Sequence, residues 1–163
     1  MAENIFRSEL LRALPKLRGF ALSYCGTPAD ADDAIQLTCE RALSRWTQWS
    51  GQGSLDHWLV KILVNAWRDE CRSRRVRSGP DLDSIEEPVG TEADAADKLF
   101  LDQVRAEILR LPENQREVLL LVAGEGLSYK ETAELLAIPV GTVMSRLARA
   151  RQALIVALGD TDV

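Results

Sequence analysis

Apolar and polar residues repeat at helical spacing near the carboxyl end of the chain and predict a two-sided helix. Five apolar residues, three or four positions apart, share one side: Val140, Val143, Leu147, Ala150 and Leu154. Polar residues at the same spacing share another side: Thr142, Ser145, Arg146 and Arg149. Pro139 suits the start of this helix, where Gly141 and Thr142 leave amide groups that can meet an anion. The apolar side is therefore expected to pack against the rest of the protein, and the polar side is expected to bind a partner molecule.

A second, shorter helix is predicted directly upstream, in the segment of residues 126–136. Ser128 is suited to its amino cap, and Glu131 lies at capping-box distance. Only Ala137 and Ile138 separate this helix from Pro139, so the two helices form a helix-turn-helix, in which the second helix reads the DNA major groove. The alternative is an ordinary helical hairpin whose arginines are merely solvated.

Helical patterns also cover much of the amino-terminal half. Residues 30–43 begin with acids suited to a helix amino end and continue with an Ala/Ile/Leu stripe, and residues 55–77 combine an apolar stripe with an increasingly basic end. Between them, two glycines break the periodicity of residues 46–54 and predict a loop around Trp46. The helix dipole favours cations at a carboxyl end by roughly 0.3–1 kcal/mol each. That effect explains one or two arginines, and the remaining cluster indicates nucleic acid.

The composition changes between the two halves. Residues 78–97 are rich in acids, Pro and Gly, which predicts a flexible acidic linker. Residues 78–103 hold eight acids and one lysine, a balance of −7, whereas residues 1–77 hold twelve Lys/Arg and nine Asp/Glu, a balance of +3. The net charge of −5 therefore hides a basic first domain. The chain is expected to be all-α, with two small helical domains at residues 1–77 and 98–163.

Several classes of function find no support in the sequence. It has no phosphate-binding glycine loop, metal-ligand cluster or nucleophile motif, and His57 is its single histidine. Cys25, Cys39 and Cys71 lack paired spacing and are interpreted as buried free thiols. No run is long and apolar enough to cross a membrane, and no signal peptide precedes the first helix. A cytoplasmic protein without a cofactor or catalytic activity is expected.

The carboxyl-terminal segment combines Leu111-Pro112, Arg116 and Gly126-Leu127-Ser128-Tyr129 with residues 139–143 and Ser145-Arg146-Leu147. This combination resembles region 4 of the extracytoplasmic-function sigma factors. The resemblance implies a helix-turn-helix domain that binds the minus-thirty-five element of a bacterial promoter. The implied contacts come from five residues of the second helix: Gly141, Thr142, Ser145, Arg146 and Arg149. Met144 departs from the family, which usually carries Lys or Arg there, and Thr132 replaces a usual isoleucine, a packing change.

Residues 30–43 resemble region 2.2 of the same family, and residues 55–77 resemble regions 2.3 and 2.4. The second match rests on Trp58-Leu59, Ile62, Asn65, Asp69 and Arg72, which fit the pattern W-L-x-x-I-x-x-N-x-x-x-D-x-x-R. The resemblance implies that core RNA polymerase contacts Asp32, Asp33, Gln36 and Thr38, although Asp32 could equally be part of a solvated acidic helix start. It implies that the minus-ten element contacts Trp46, Asn65, Arg68, Arg72, Arg74 and Arg75. Trp46 would help to capture a flipped base, or could equally be core.

The chain is thus identified as a member of the extracytoplasmic-function group of sigma-70 factors. This resemblance implies a protein that binds core RNA polymerase, directs it to promoter DNA and promotes transcription initiation, with an anti-sigma factor as a further partner. Two alternatives belong to other classes. A sigma mimic that sequesters an anti-sigma factor could lose its DNA-reading residues, but Ser145, Arg146 and Arg149 are retained. A free-standing helix-turn-helix repressor would leave the first domain unexplained.

Overall fold

The computed structural model describes residues 2–78 and 95–159, and regular structure in these two ranges is entirely helical. Contacts divide the chain into two compact units, residues 1–87 and 88–163. The fold agrees with the expected all-α class and with two helical domains. Most of the predicted linker, residues 79–94, lies outside the described residues.

The first unit contains three long helices and one short turn. They are α1 (Ala2–Cys25), α2 (Pro28–Ser44), a 3-10 turn (Trp46–Gln48) and α3 (Leu55–Ser78). Helix α2 begins at Pro28 because the Thr27 hydroxyl accepts a hydrogen bond from the Asp30 amide at 3.2 Å, and proline suits this first position. The core of the first unit lies where α1 and α2 pack on α3, around Leu17, Leu59 and Leu63.

The second unit contains four α-helices with one π-helical turn. They are α4 (Ala95–Arg110), α5 (Glu113–Leu119), the π turn (Leu120–Gly124), α6 (Tyr129–Leu136) and α7 (Val140–Gly159). The π turn ends where the Glu125 amide donates to the Leu120 carbonyl at 2.9 Å, and Gly126, at φ +75°, then lets the chain reverse into α6. Helices α5 and α6 pack on α7, and Val118 of α5, Leu136 of α6 and Leu147 of α7 are buried there.

The connection between α6 and α7 is short and spans residues 137–139, one residue more than the sequence predicts, because α7 begins at Val140 and not at Pro139. The Ser128 hydroxyl caps α6 by accepting a hydrogen bond from the Glu131 amide at 3.0 Å. Ala137 ends α6 in the left-handed region, at φ 54° and ψ 46°. The Ile138 amide donates to the Ala133 carbonyl at 3.0 Å, so the turn satisfies carbonyls at the end of α6. The predicted helix-turn-helix is present.

Two details of the sequence interpretation need correction. Helix α4 begins at Ala95, three residues inside the predicted linker of residues 78–97, and α3 continues to Ser78. Val140 was expected on the packed side of α7, but its side chain is 41% exposed. As the first residue of α7, it precedes the part of the helix that packs, in which Val143, Leu147 and Ala150 are buried.

Thr132 is fully buried in α6, and its hydroxyl has no hydrogen-bond partner among the described residues. A buried hydroxyl without a partner costs free energy that an isosteric methyl group does not. Thr132→Val is therefore expected to raise the free energy of unfolding by about 1 kcal/mol. Chemical denaturation would measure this change.

Thr38 provides the matched control for that prediction. It is equally buried, but its hydroxyl donates to the Ala34 carbonyl at 2.7 Å. Thr38→Val removes a made hydrogen bond and is expected to bring no gain in stability. Equal stabilisation by both substitutions would show that the unpaired Thr132 hydroxyl is not the cause.

Candidate nucleic-acid interface

The outer side of α7 carries the polar residues that the sequence places together. Ser145 and Arg149 are exposed, and Thr142 and Arg146 are half-buried. The Ser145 hydroxyl donates to the Thr142 carbonyl at 3.1 Å. Arg146 and Arg149 make no ion pair with any described residue, so their guanidinium groups are available to an external acceptor. Arginine recognises phosphate and the guanine edge through paired donors.

The amino end of α7 is less open than the sequence suggests. Gly141 is exposed in the first turn, as expected. The Thr142 amide, however, donates to the Pro139 carbonyl at 3.0 Å, and the Val143 amide donates to the same carbonyl at 3.2 Å. Thr142 can therefore contact an anion through its hydroxyl but not through its amide. Met144 is exposed on α7 as an apolar side chain, at a position where the resemblance implies a basic one.

In the first unit, a groove of about 930 Å³ lies between α1 and the loop of residues 46–54. Trp46 and Trp49 line it and are half-buried, so Trp46 is neither core nor fully exposed. Trp49 packs on Trp58 with ring centroids 5.7 Å apart, and Trp58 meets the edge of Phe6 at 5.9 Å. Gly51 and Gly53 have φ near +74° and +82°, which a residue with a side chain rarely adopts. The glycines shape the loop, and the aromatic contacts hold it against α1.

Helix α3 presents one polar, basic face. Asn65, Arg72 and Arg75 are exposed, Arg68 is half-buried, and the spacing of these four residues places them on a common side of the helix. Asp69 borders this side, where the Arg41 guanidinium lies 3.3 Å from its carboxylate and Arg72 lies 4.0 Å away. Bases and backbone phosphates could follow this face along its length.

Arg74 does not belong to that face, and its predicted role as a phosphate contact requires correction. It lies about 180° around α3 from Asn65 because nine residues separate the two. Its guanidinium donates to Asp30 at 2.8 Å and to Asp33 at 3.0 Å on α2, and to Glu70 at 3.3 Å on α3. The hydrogen bond to Asp30 raises the pKa of Arg74, against an opposing effect of burial. Arg74 therefore joins two helices of the first unit.

The acidic start of α2 presents three of the four residues expected to contact polymerase. Asp32, Asp33 and Gln36 are exposed, and the Asp32 carboxylate accepts a hydrogen bond from Arg18 at 3.2 Å. Thr38 is fully buried and bonded to the Ala34 carbonyl, so its predicted role as a surface contact is wrong. A cleft of about 300 Å³ next to Asp33 and Gln36 is completed by Leu37, Glu40 and Glu70. Glu40 follows Gln36 by one helical turn, but Glu70 comes from α3 and has no signal in the local sequence.

The described residues contain no group of His, Cys, Asp and Glu that could hold a metal ion. Burial raises the pKa of the Cys39 thiol, and the neighbouring Glu40 carboxylate adds to this effect. A raised pKa lowers the thiolate fraction at neutral pH, which makes Cys39 a poor nucleophile. Among the helices that the structure describes, none combines the length and apolar character of a membrane span.

A helix-turn-helix with free arginines, and a separate unit with a basic helix beside an aromatic loop, define a two-domain DNA-binding protein. The family description "Sigma-70 region 2" matches residues 10–77, and "Sigma-70, region 4" matches residues 101–154. The chain belongs to the sigma-70 family, in its extracytoplasmic-function (ECF) group. It binds core RNA polymerase and directs it to promoter DNA in transcription initiation.

Three similar proteins carry this assignment. The chain is 38% identical to the ECF RNA polymerase sigma factor EcfG of Rhodopseudomonas palustris, over 91% of this chain and 82% of that protein. It is 36% identical to the ECF RNA polymerase sigma factor SigC of Mycobacterium tuberculosis, over 82% and 73%. The sigma factor RpoE of Bartonella quintana, solved in complex with the anti-sigma factor NepR, matches with a TM-score of 0.76 and 30% identity, covering 94% of this chain and 96% of that one.

Proposed function

We propose that three surfaces of this sigma factor divide the work of initiation. The polar side of α7 binds the minus-thirty-five element. The groove beside Trp46 and the basic face of α3 bind the minus-ten element, and the exposed acidic start of α2 docks on core polymerase. The observation that carries this proposal is the pairing state of the arginines. Arg146 and Arg149 make no ion pair with any described residue, and they lie on a different side of α7 from the buried Val143 and Leu147.

The chemistry of α7 suits reading of double-stranded DNA. A helix fits the major groove, where arginine can pair with both acceptors of guanine and a hydroxyl can serve either a base or a phosphate. Gly141 and Thr142 lie at the end of α7 that approaches the backbone, and Ser145, Arg146 and Arg149 follow along its length.

The surfaces of the first unit suit melted DNA. Aromatic rings stack on unpaired bases, and this contact is worth about 1–3 kcal/mol per base. Trp46 supplies such a ring at the wall of an open groove. Asn65 has both a donor and an acceptor for a base edge, and Arg68, Arg72 and Arg75 can neutralise the phosphates beside it.

On α2, we assign docking on core polymerase to Asp32, Asp33 and Gln36. Two exposed carboxylates and an amide suit a basic partner surface, and this charge complementarity favours fast and specific association. Polymerase supplies the catalytic centre for RNA synthesis, so this chain has no catalytic step of its own. Its place of action is the cytoplasm, together with polymerase.

An anti-sigma factor is a further proposed partner. The RpoE protein of Bartonella quintana was solved in complex with the anti-sigma factor NepR, and the present chain aligns with nearly all of that protein. A protein that covers α2 or α7 would block docking or promoter binding. Its identity can be sought by its ability to suppress transcription from the promoter that this factor selects.

Run-off transcription with purified core polymerase and a pooled promoter library tests these assignments. The wild type is expected to select a shared two-part motif. Arg146→Ala should reduce transcription about ten- to a hundredfold and relax the upstream half of the motif, since a good arginine contact is worth about 1–3 kcal/mol. Asn65→Ala should weaken selection of the downstream half.

Arg151→Ala is the matched control for Arg146→Ala. Arg151 is exposed on the same helix, but its position places it off the polar side. We expect it to leave the motif unchanged. Core binding without initiation by the wild type would instead support a sigma mimic, and equal effects of Arg146→Ala and Arg151→Ala would contradict the assignment of α7.

A further inference from the structure

Arg74, on α3, makes polar contacts through all three of its guanidinium nitrogens. Its Nη1 donates to the Asp30 Oδ1 at 2.8 Å, its Nη2 to the Asp33 Oδ2 at 3.0 Å and its Nε to the Glu70 Oε1 at 3.3 Å. Each guanidinium nitrogen therefore serves a different carboxylate. The planar fork of arginine allows this arrangement, which the single ammonium group of lysine cannot reproduce.

The guanidinium group of Arg74 also packs on an aromatic ring. Its central carbon lies 4.8 Å from the centroid of the Trp67 ring, and Trp67 is buried in the first unit. A cation over an indole ring is attracted by the negative face of the ring. The packed Trp67 thus supports Arg74, and Arg74 in turn fixes carboxylates that lie more than forty residues away in the sequence.

Asp33 is held without being covered. Only its Oδ2 accepts from Arg74, and its side chain remains 56% exposed. A carboxylate has two oxygens, each with two acceptor positions, so a bond on one side leaves the other oxygen open to a partner. Asp30, by contrast, is more covered and binds Arg74 at the shorter distance. Asp30 therefore anchors the arginine, while Asp33 is oriented by it.

We infer that Arg74 is a positioning residue for docking on core polymerase, which holds the Asp33 carboxylate in the orientation that a basic group of polymerase meets. The inference rests on the docking role proposed above for Asp33. It replaces the phosphate contact expected for Arg74 from the sequence. The side chain acts through Asp33 and has no direct contact with polymerase or DNA.

A double-mutant cycle on core binding tests this inference. The full-length chain and its Arg74→Gln, Asp33→Asn and doubly substituted variants would each be titrated with core polymerase. Arg74→Gln is expected to weaken binding about fivefold in the wild-type background and to have no further effect once Asp33 is Asn, because groups in direct contact are not additive. Arg74→Lys, which keeps the charge but loses the fork, should restore part of the affinity.

Arg75→Gln is the control, since Arg75 is the exposed neighbour on α3 without an ion pair to any described residue. It should leave core affinity unchanged and lower the salt dependence of promoter binding by the assembled holoenzyme. Arg74→Gln should leave that salt dependence unchanged, because it removes no phosphate contact. Thermal unfolding of each variant identifies any that lose the fold.

The outcomes distinguish the docking role of Asp33 from the positioning role of Arg74. If Asp33→Asn does not weaken core binding, the docking role proposed for Asp33 is wrong. If Asp33→Asn weakens binding but Arg74→Gln leaves it unchanged or strengthens it, the positioning role of Arg74 is overturned. An effect of Arg74→Gln that persists in the Asp33→Asn background would also overturn it, since that result indicates a general loss of structure.

Discussion

Replacement of Leu147 by alanine is expected to lower the free energy of unfolding of the second unit by about 2–5 kcal/mol. Leu147 is 2% exposed on α7, in the region where α5 and α6 pack on this helix. The substitution leaves a cavity in a small domain, and small domains have little stability to lose. Urea denaturation followed by circular dichroism would measure the change. Met144→Ala, on the exposed side of the same helix, should change stability by less than about 0.5 kcal/mol.

The functional result of Leu147→Ala should be selective. The first unit has its own core and contains all the residues assigned to polymerase docking, so core binding should persist while selection of the upstream promoter element is lost. A titration with core polymerase alongside footprinting of promoter DNA distinguishes these effects. Parallel loss of both activities would contradict independent folding of the two units.

Trp46→Ala is expected to reduce formation of the open promoter complex about ten- to a hundredfold, because one stacked base is worth about 1–3 kcal/mol. Binding to the closed duplex should change little, since Trp46 would contact only an unstacked base. Fluorescence of 2-aminopurine placed in the minus-ten element would follow base unstacking, and footprinting would follow duplex binding.

Trp46→Phe is the matched control because it keeps an aromatic face. It should retain most of the opening activity. The base-capture role of the groove would be rejected if Trp46→Ala opened the promoter at the wild-type rate. A decrease in duplex binding equal to the decrease in opening would instead indicate a contact made before melting.

The sequence predicted those helices whose apolar spacing and end caps are supplied by their own residues. Helical periodicity predicted α2, α3, α6 and α7, and the Ser128 cap fixed the start of α6. The two glycines of residues 46–54 predicted a loop because their backbone conformations exclude a continuous helix. The start of α4 was misplaced because the acidic residues that suggested a linker are also favoured in the first turn of a helix.

The errors in the site have different physical origins. Thr38 continues the helical spacing of the buried Ala31 and Ala34, so this spacing was enough to predict that Thr38 is buried. The position of Arg74 opposite Asn65 could likewise be read from residue spacing. Its partners could not, because Asp30 and Asp33 come into reach only when α2 packs on α3. Glu70 enters the cleft beside Gln36 for the same reason.

Ala137 has a consequence for how DNA meets the protein. A residue with a Cβ in the left-handed region costs roughly 1–2 kcal/mol, which glycine would avoid. Glycine would also allow the turn many more backbone conformations, whereas alanine allows few besides the one it adopts. The turn between α6 and α7 is therefore stiff and does not act as a hinge. In the role proposed for α7, the helix would enter the major groove with its direction already set, so little orientational entropy would remain to be lost on binding.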